Sequence, residues 1–257
     1  MIPEITVELS SGVLTVTISR ADKKNALTNV MYGALADAVE RANTDGDVRV
    51  LLFQADGDLF TAGNDVSEFA AESDGHVPEV RHVARFLKSI TNSTTPLVAA
   101  VQGKAVGVGT TMLLHCDYVL LTEDAQLMTP FVNLALVPEA ASSYLLPLRI
   151  GHVRAFEMFA LGEGLPAQQA VAWGIANKIV AAAELRTEAR RIAERIATKS
   201  TGSLTSMKRL MRDSEKLIAH MDSERATFLE RLASAEAKEA FAAFAQKRKP
   251  DFTKIVK

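Results

Sequence analysis

Short runs of aliphatic and β-branched residues recur along the first 180 positions of the chain and alternate with stretches of helical period. Residues 29–44 and 77–92 place apolar side chains three and four positions apart, which predicts helices. Alternation of strands and helices predicts an α/β core. Five runs have the length and composition of strands: ITVEL (5–9), GVLTVTIS (12–19), VRVLLFQA (48–55), LVAAVQG (97–103) and DYVLLT (117–122).

The pattern changes beyond about residue 180. Residues 184–200, 203–220 and 224–249 have helical spacing, and no strand pattern lies among them. The tail is therefore predicted to be a helical appendage. With 257 residues the chain can bury a core as one domain with an appendage or as two small domains.

Composition and charge exclude several classes of function. The chain has 29 basic and 31 acidic residues, so a nucleic-acid partner is not expected. Its single cysteine, Cys116, cannot form an internal disulfide and fits a reducing compartment. The start MIPEITVELS lacks the features of a secretory signal, and no apolar run approaches the roughly 18 residues of a membrane span. A soluble cytoplasmic protein without membrane contact is the expectation.

The first loop with candidate chemistry is LFTAGNDVSEF (59–69), which follows a strand and opens a helix. A purely structural interpretation is a strand-to-helix turn, because Gly63 and Asn64 tolerate unusual backbone angles. Asp65 and Glu68 have the spacing of a capping box, which favours Asp65 as a cap over a base.

The second loop places Gly103, Gly107 and Gly109 between a strand and an apolar helical stretch. Its spacing fits neither GxGxxG nor a phosphate-binding loop, so a nucleotide site is disfavoured. The start of the following helix, near Val108, offers free backbone N–H groups. Two such donors from two loops would form an oxyanion hole for a developing negative charge on a carbonyl oxygen. Whether the two loops meet does not follow from the sequence.

Glu139 lies after a proline in the largely apolar stretch NLALVPEAASSYLLP (133–147). It can be a solvated residue in the first turn of a helix, where an acid complements the dipole. Alternatively, apolar neighbours would raise its pKa and make it a proton shuttle near neutral pH.

Other polar residues have simpler structural explanations. The cluster His115, Cys116 and Asp117 has no common metal-site spacing, so packing is favoured and no metal is expected. Ser142 and Ser143 have no histidine nearby in sequence and fit as small residues at a helix start.

The order of five motifs resembles the enoyl-CoA hydratase/isomerase family, the crotonase superfamily, over nearly the whole chain. The motifs are RADKKNAL (20–27), FTAGNDVSEF (60–69), AAVQGKAVGVGTTMLLHCDYVL (99–120), PFVNLALVPEAASSYLLP (130–147) and FAQKRKPDF (244–252). The resemblance implies an α/β fold, a crotonase-like spiral of ββα units with two roughly perpendicular sheets. It implies a core at residues 1–195 with the CoA-thioester site and a C-terminal helical trimerisation region at 196–257. Homotrimers, or hexamers made of two trimers, are the implied assemblies.

The resemblance also implies an acyl-CoA thioester as substrate and no separate cofactor. The carbonyl oxygen is expected to lie between the backbone N–H groups of Asn64 and Val108. The CoA moiety is expected near Lys24, Ala26, Leu27, Thr61, Ala62 and Lys249, although the group around Lys249 also fits a solvated surface. The acyl pocket is expected to include Phe131, Leu136 and Tyr144.

Two positions depart from the typical hydratase. Thr111 and Phe131 lie where hydratases of this family have two catalytic glutamates, and neither side chain is a general base near pH 7. Residues 138–144, PEAASSY, instead resemble the P-E-x-x-S-S-Y segment with the lone catalytic glutamate of peroxisomal-type 3-enoyl-CoA isomerases. The resemblance therefore predicts a Δ3–Δ2-enoyl-CoA isomerase in which Glu139 moves the proton.

Other functions stay open at this point. A hydratase, a CoA-ester dehalogenase or a hydrolase would use the same oxyanion hole, and a non-catalytic acyl-CoA binder is a further alternative. The isomerase branch implies fatty-acid metabolism by β-oxidation, while aromatic catabolism and secondary metabolism stay open. The ending IVK lacks the peroxisomal tripeptide, so a cytoplasmic location is expected.

Overall fold

The computed structural model of the chain describes residues 2–73, 75–76 and 78–255. The strands in these ranges are β1 (Ile5–Ser10), β2 (Val13–Ile18), β3 (Val50–Ala55), β4 (Leu97–Val101), β5 (Lys104–Val106), β6 (Tyr118–Thr122), β7 (Gln126–Met128), β8 (Leu165–Pro166) and β9 (Lys178–Val180). The α-helices are α1 (Asn29–Thr44), α2 (Val66–Ser73), α3 (His82–Thr91), α4 (Val108–Thr111), α5 (Ser142–Ile150), α6 (His152–Leu161), α7 (Ala167–Ala172), α8 (Leu185–Ala197), α9 (Thr201–Met211), α10 (Ser214–Leu232) and α11 (Ala235–Ala245).

The described strands form two sheets. The larger sheet has the order β1-β2-β3-β4-β6-β9, and the smaller sheet has the order β5-β7-β8. In the larger sheet β1 pairs antiparallel with β2, and every later pair is parallel. In the smaller sheet β5 and β7 are parallel, and β8 is antiparallel to β7. The predicted α/β class is confirmed.

Both faces of the larger sheet are buried, which explains the near-continuous apolar runs of its parallel strands. Leu51 and Phe53 of β3 face one core cluster together with side chains from α1 and α3. Val50 and Leu52 face the opposite cluster, which α8 covers. This alternation along β3 follows from the two-residue period of a strand. The helix α8 buries residues at the spacing of one helical face: Leu185, Ala189, Ile192, Ala193 and Ala197.

The five predicted strands are confirmed to within two residues at each end. The predicted helix at 29–44 has the bounds of α1. The side chain of Thr28 caps the N-terminus of α1 by accepting the N–H of Met31. The helix predicted at 77–92 begins only at His82; Val77 lies outside the described residues. Before α3, the Asn29 side chain donates to Val80 O and accepts the N–H of His82. It thus bonds backbone groups that a longer helix would have bonded.

The predicted bounds of the last helices are wrong. The helix predicted at 203–220 is interrupted at residues 212–213, and the one predicted at 224–249 is interrupted at 233–234. Asp213 and Ser234 cause both interruptions, because their side chains accept the N–H groups of Lys216 and Ala237 and start new helices. Residues 221–223, expected between helices, lie inside α10.

The C-terminal helices return to the α/β part of the chain. α10 packs against α3, and α11 packs against α2 and the 3-10 turn Val132–Leu134. The division at residue 195 and the trimerisation role of the tail stay predictions. None of the described helices is long and apolar enough to cross a membrane.

Candidate active site

The loop after β3 turns back onto the segment before α1. Leu27 N–H donates to Gly63 O over 2.8 Å, and Asp65 N–H donates to Leu27 O over 2.9 Å. In this parallel bridge between Leu27 and Asn64, the N–H of Asn64 points to the other side. Among the described residues that N–H has no acceptor, so it is available to a ligand.

The predicted cap at the start of α2 is present, but the capping box is not. Asp65 Oδ1 accepts Ser67 N–H over 3.1 Å, and Asp65 Oδ2 accepts Arg20 Nη1 over 2.8 Å. Glu68 does not reach back to Asp65 but accepts the N–H of Asn29 over 2.8 Å. Glu68 therefore satisfies the first N–H of α1.

The second glycine loop leads from β5 into α4. Gly107 N–H donates to Met128 O over 2.8 Å, which ties the loop to β7. Val108 is the first residue of α4, and the first N–H groups of a helix have no partner within it. In the part of the chain that the structure describes, no acceptor binds the Val108 N–H. A second free donor is thus available.

The two glycine loops adjoin each other. Gly63 has φ +88°, and a Cβ there would lie 2.8 Å from Val106 O in the other loop. A Cβ at Gly109 would lie 2.4 Å from Thr61 Cγ2. Both distances are shorter than a real Cβ contact, so any residue larger than glycine would push the loops apart. The tertiary structure thus places the loops carrying both free N–H groups in direct contact.

Glu139 directly precedes the turn that leads into α5. Its Oε1 accepts the hydroxyl of Thr111 over 2.5 Å, and Thr111 is the last residue of α4. Its Oε2 is buried and has no hydrogen-bond partner among the described residues. Burial raises the pKa of Glu139 to about 8, the Thr111 bond opposes this rise, and the charge of Glu224 adds to it. A carboxyl group with this pKa can exchange protons near neutral pH.

Tyr32 of α1 contacts the first loop and is close enough to Glu139 for the charge of the acid to act on it. Its side chain is buried, and its hydroxyl donates to Asn64 Oδ1. Burial raises the pKa of Tyr32 well above its usual value, and the charges of Glu139 and Glu68 raise it further. The hydroxyl therefore stays protonated and keeps the Asn64 side chain oriented. No local pattern predicts this contact, because Tyr32 occupies one apolar position of an amphipathic helix.

A narrow apolar cavity of about 60 Å³ lies against the two loops. Asn64 and Gly107 form one side, and the other side is apolar: Val66, Pro130, Phe131, Leu134, Leu136 and Phe228. The ring of Phe131 packs on that of Phe159, with centroids 6.3 Å apart. Phe131 and Leu136 thus line one cavity, and its use as an acyl pocket stays a prediction.

Tyr144 does not lie on this cavity. It is the third residue of α5, and the helix directs it toward α10. There its ring packs against that of His220 at 5.5 Å and beneath Lys216 Nζ at 4.8 Å. The structure thus places Tyr144 away from this cavity, and its place in an acyl pocket stays a prediction.

A larger polar cavity of about 500 Å³ adjoins the first, because Ala62 and Val106 line both. Lys24 and Ala62 were predicted to contact CoA, and both lie on its wall, which Lys104 shares. Ala62 N–H donates to Lys24 O over 2.9 Å, so the two segments are joined. The other polar lining residues are Asp58, Asp124 and Gln126.

The remaining residues predicted for CoA are not on this wall. Leu27 and Thr61 are buried, and the Thr61 hydroxyl donates to Asn25 O over 2.6 Å. Ala26 is partly buried, and its carbonyl accepts Arg20 Nη1 over 2.8 Å. Lys249 is exposed beyond α11. Leu27 and Thr61 instead shape the first loop through their main-chain and hydroxyl bonds.

The cluster at residues 115–117 is structural. Burial raises the pKa of the Cys116 thiol to about 12, so the thiol is unreactive. Asp117 accepts Lys208 Nζ over 2.6 Å and Leu97 N–H over 2.8 Å. No group of three or more His, Cys, Asp or Glu side chains in the described ranges could hold a metal ion.

Fold and site together define a class: an α/β protein in which two adjoining glycine loops offer free N–H groups near a buried carboxyl group. The chain belongs to the enoyl-CoA hydratase/isomerase family, whose model matches residues 8–255. The predicted membership of the crotonase superfamily is thereby confirmed, and the chain is a crotonase-type acyl-CoA enzyme.

Comparison with individual relatives indicates the type of reaction only in part. The 1,2-epoxyphenylacetyl-CoA isomerase of Escherichia coli (strain K12) is 31% identical over 262 residues, which cover 98% of this chain and 99% of that protein. Enoyl-CoA delta isomerase 2 of Rattus norvegicus is 34% identical over 252 residues, covering 96% of this chain and 64% of the rat protein. A crystal structure of an enoyl-CoA hydratase/isomerase from Pseudoalteromonas atlantica T6c matches with a TM-score of 0.91 and 43% identity, covering 97% of this chain and 99% of that one. The names describe several reactions, so family membership alone leaves the reaction open.

Proposed function

We propose that the chain is a Δ3–Δ2-enoyl-CoA isomerase with Glu139 as its single proton shuttle. The observation that carries this proposal is the state of Glu139. Its Oε2 is buried without a partner, its pKa is raised to about 8, and it lies near two loops with free N–H groups. One acid beside an oxyanion hole is sufficient for moving a double bond along an allylic unit.

The reaction would proceed through a dienolate. Glu139 takes a proton from C2 of the 3-enoyl thioester, and the electron pair left on C2 moves onto the carbonyl oxygen. The N–H groups of Asn64 and Val108 stabilise that negative charge. The protonated Glu139 then delivers its proton to C4, and the double bond forms between C2 and C3. Protons and electrons balance within the substrate, so the proposal requires no cofactor and no metal.

The side chains at the two positions where hydratases have catalytic glutamates disfavour hydration. The Thr111 hydroxyl is already bonded to Glu139, and it is too weak a base to activate water. Phe131 lies on the apolar wall of the narrow cavity, where it would exclude water. A crotonase-type hydratase and a non-catalytic binder are the outcomes that the experiment below must reject. Turnover of a 4-chlorobenzoyl or 3-hydroxyacyl thioester would instead favour a dehalogenase or a hydrolase.

The rest of the substrate and the assembly complete the proposal. The CoA phosphates would bind in the polar cavity near Lys24 and Lys104, whose charges suit anions. We further propose homotrimers or hexamers of two trimers, a cytoplasmic location and a role in fatty-acid β-oxidation. The assembly and the metabolic role follow from the family resemblance, and the location follows from the single cysteine, which fits a reducing compartment.

The test compares wild type with Glu139→Gln on 3-hexenoyl-CoA, following formation of the conjugated thioester, and on crotonyl-CoA, following hydration. Glutamine keeps the shape of the side chain but cannot accept the proton. We expect kcat for isomerisation to fall by roughly 10²–10⁴-fold, the usual contribution of a general base. Because Glu139 must start deprotonated, kcat/KM of wild type is expected to rise with pH through about 8.

Glu230→Gln is the matched control. Glu230 is exposed on α10, and its substitution makes the same glutamate-to-glutamine change away from the site. Its activity should equal that of wild type. Dominant hydration by wild type, or an unimpaired Glu139→Gln, would refute the isomerase proposal; acyl-CoA binding without turnover would identify a binder.

A further inference from the structure

The turn that follows Glu139 has a backbone conformation that its sequence does not favour. Ala140 has φ +60° and Ala141 has φ +54°. Residues other than glycine seldom adopt positive φ, and two in succession persist only where the surroundings hold them. Ala141 is also the N-cap of α5 and has no side chain that could cap the helix. The position of Glu139 therefore depends on other parts of the molecule.

Glu224, a residue of α10, supplies the missing cap. Its Oε2 accepts the N–H of Ala141 over 2.6 Å, and its Oε1 accepts the N–H of Ser143 over 2.9 Å and the Ser143 hydroxyl. Only 8% of Glu224 is exposed. Both carboxylate oxygens are thus used at the N-terminus of α5. Burial raises the pKa of Glu224, and the bonds from Ser143 and Ala141 oppose this rise.

We propose that Glu224 is a positioning residue for the reaction: through the N–H groups of Ala141 and Ser143 it holds the turn that aims Glu139, and it sets the electrostatic environment of Glu139. The inference rests on the proposed role of Glu139 as proton shuttle. Through Glu224, the position of Glu139 depends on α10, a helix of the C-terminal tail.

His115 holds the same turn from the other side. Its Nε2 lies 2.7 Å from Ala140 O, and Arg212 contacts its Nδ1. A carbonyl only accepts, so Nε2 carries the proton and Nδ1 accepts from Arg212. Burial and the charge of Arg212 hold the pKa of His115 well below its usual value. His115 is therefore neutral and fixes the turn without adding charge.

The titratable groups around Glu139 and Glu224 lie on several elements. The charge of Glu139 acts on Tyr32 of α1, and neutral His115 contacts Ala140 of the turn. His220 on α10 lies 2.8 Å from Ser143 Oγ and 3.6 Å from Glu224 Oε1. Of these, Glu224 is the group whose negative charge raises the pKa of Glu139, after burial itself. Loss of that charge should therefore lower the pKa of Glu139.

Steady-state kinetics over pH 6 to 10 test this with wild type, Glu224→Gln, Glu224→Asp and the control Glu230→Gln. Glutamine leaves one of the two N–H bonds without an acceptor and removes the charge. We expect kcat of Glu224→Gln to fall by about 10–100-fold, as for residues that orient a functional ligand. Its rise in rate with pH should shift to lower pH, while KM for the CoA thioester stays within about twofold because the CoA contacts are elsewhere.

Glu224→Asp keeps the charge but is one methylene shorter. It should lower kcat without shifting the pH profile. This variant therefore separates the effect of geometry from that of charge, and it tests the inference if Glu224→Gln does not fold. A profile of Glu224→Gln that matches wild type, whatever its kcat, would reduce Glu224 to a structural role and overturn the inference. So would a Glu224→Gln variant as active as Glu230→Gln.

A second measurement needs no turnover. The free energy of unfolding in urea, compared with and without Glu139→Gln at several pH values, reports the ionisation of Glu139 in the folded chain. In the Glu224→Gln background that ionisation should occur at lower pH; an unchanged midpoint contradicts the inference. A wild type that fails to isomerise would refute the proposed function, yet this measurement would still decide whether Glu224 acts on Glu139.

Discussion

The glycine loops at residues 59–65 and 103–109 are held largely by main-chain hydrogen bonds and tight backbone contacts, whereas the turn at residues 138–143 is held by side chains from distant elements. Leu27 and Met128 bond the loops through their backbones. The turn instead requires Glu224 and His115. The N–H donors should therefore depend mainly on the loop backbone, with side-chain support from Thr61 and Tyr32, while Glu139 should be sensitive to residues that never touch substrate.

Among substitutions that leave Glu139 in place, the largest effect is expected where the loops allow no side chain. In Gly63→Ala the new Cβ meets Val106 O at 2.8 Å and the backbone keeps φ +88°, so the Asn64 N–H should move. Loss of one oxyanion donor lowers kcat by roughly 10²–10³-fold, and the strain costs about 1–3 kcal/mol of stability. Kinetics and urea unfolding measure both. Gly46→Ala, with open space around it, is the control and should leave kcat unchanged.

The second-largest expected effect is a dependence of the free energy of unfolding on pH. It concerns Glu139 and not the two N–H donors, because backbone N–H groups do not titrate. Folding raises the pKa of Glu139 from 4.5 to about 8. The stability due to its proton is complete below pH 4.5 and is lost as the pH rises through about 8. Above pH 8 the free energy of unfolding of Glu139→Gln should exceed that of wild type by on the order of a few kcal/mol. Equal stabilities at pH 9 would mean that Glu139 is solvated.

The smallest effect is expected for Thr111→Val, which removes the hydroxyl but keeps the shape. The Thr111 bond lowers the pKa of Glu139, so its loss should raise that pKa and shift the pH profile of kcat/KM to higher pH. This shift is opposite to that expected for Glu224→Gln. A hydrogen bond worth about 0.5–1.5 kcal/mol corresponds to a two- to tenfold lower rate at pH 7. An unshifted profile would show that Thr111 does not contact Glu139 in solution.

Much of the fold followed from local patterns. Local sequence patterns were enough to predict β3, β4 and α1, because buried strands and amphipathic helices impose fixed periods on the sequence. Asp213 and Ser234 show where this reasoning fails. Both lie in stretches that read as continuous helix, and only their capping bonds reveal the interruption.

The sequence by itself determined the five longer strands, the two glycine loops and an acid at position 139, because each depends on neighbouring residues. The short strands β5, β7, β8 and β9 were not predicted. Only the tertiary structure decided that the loops meet, that Tyr32 orients Asn64 and that Glu224 supports the turn after Glu139. Tyr32 and Asn64 are 32 positions apart, and Glu224 and Ala141 are 83 apart. Contacts of this kind carry no local signal, and the raised pKa of Glu139 likewise comes from burial, which chain folding alone creates.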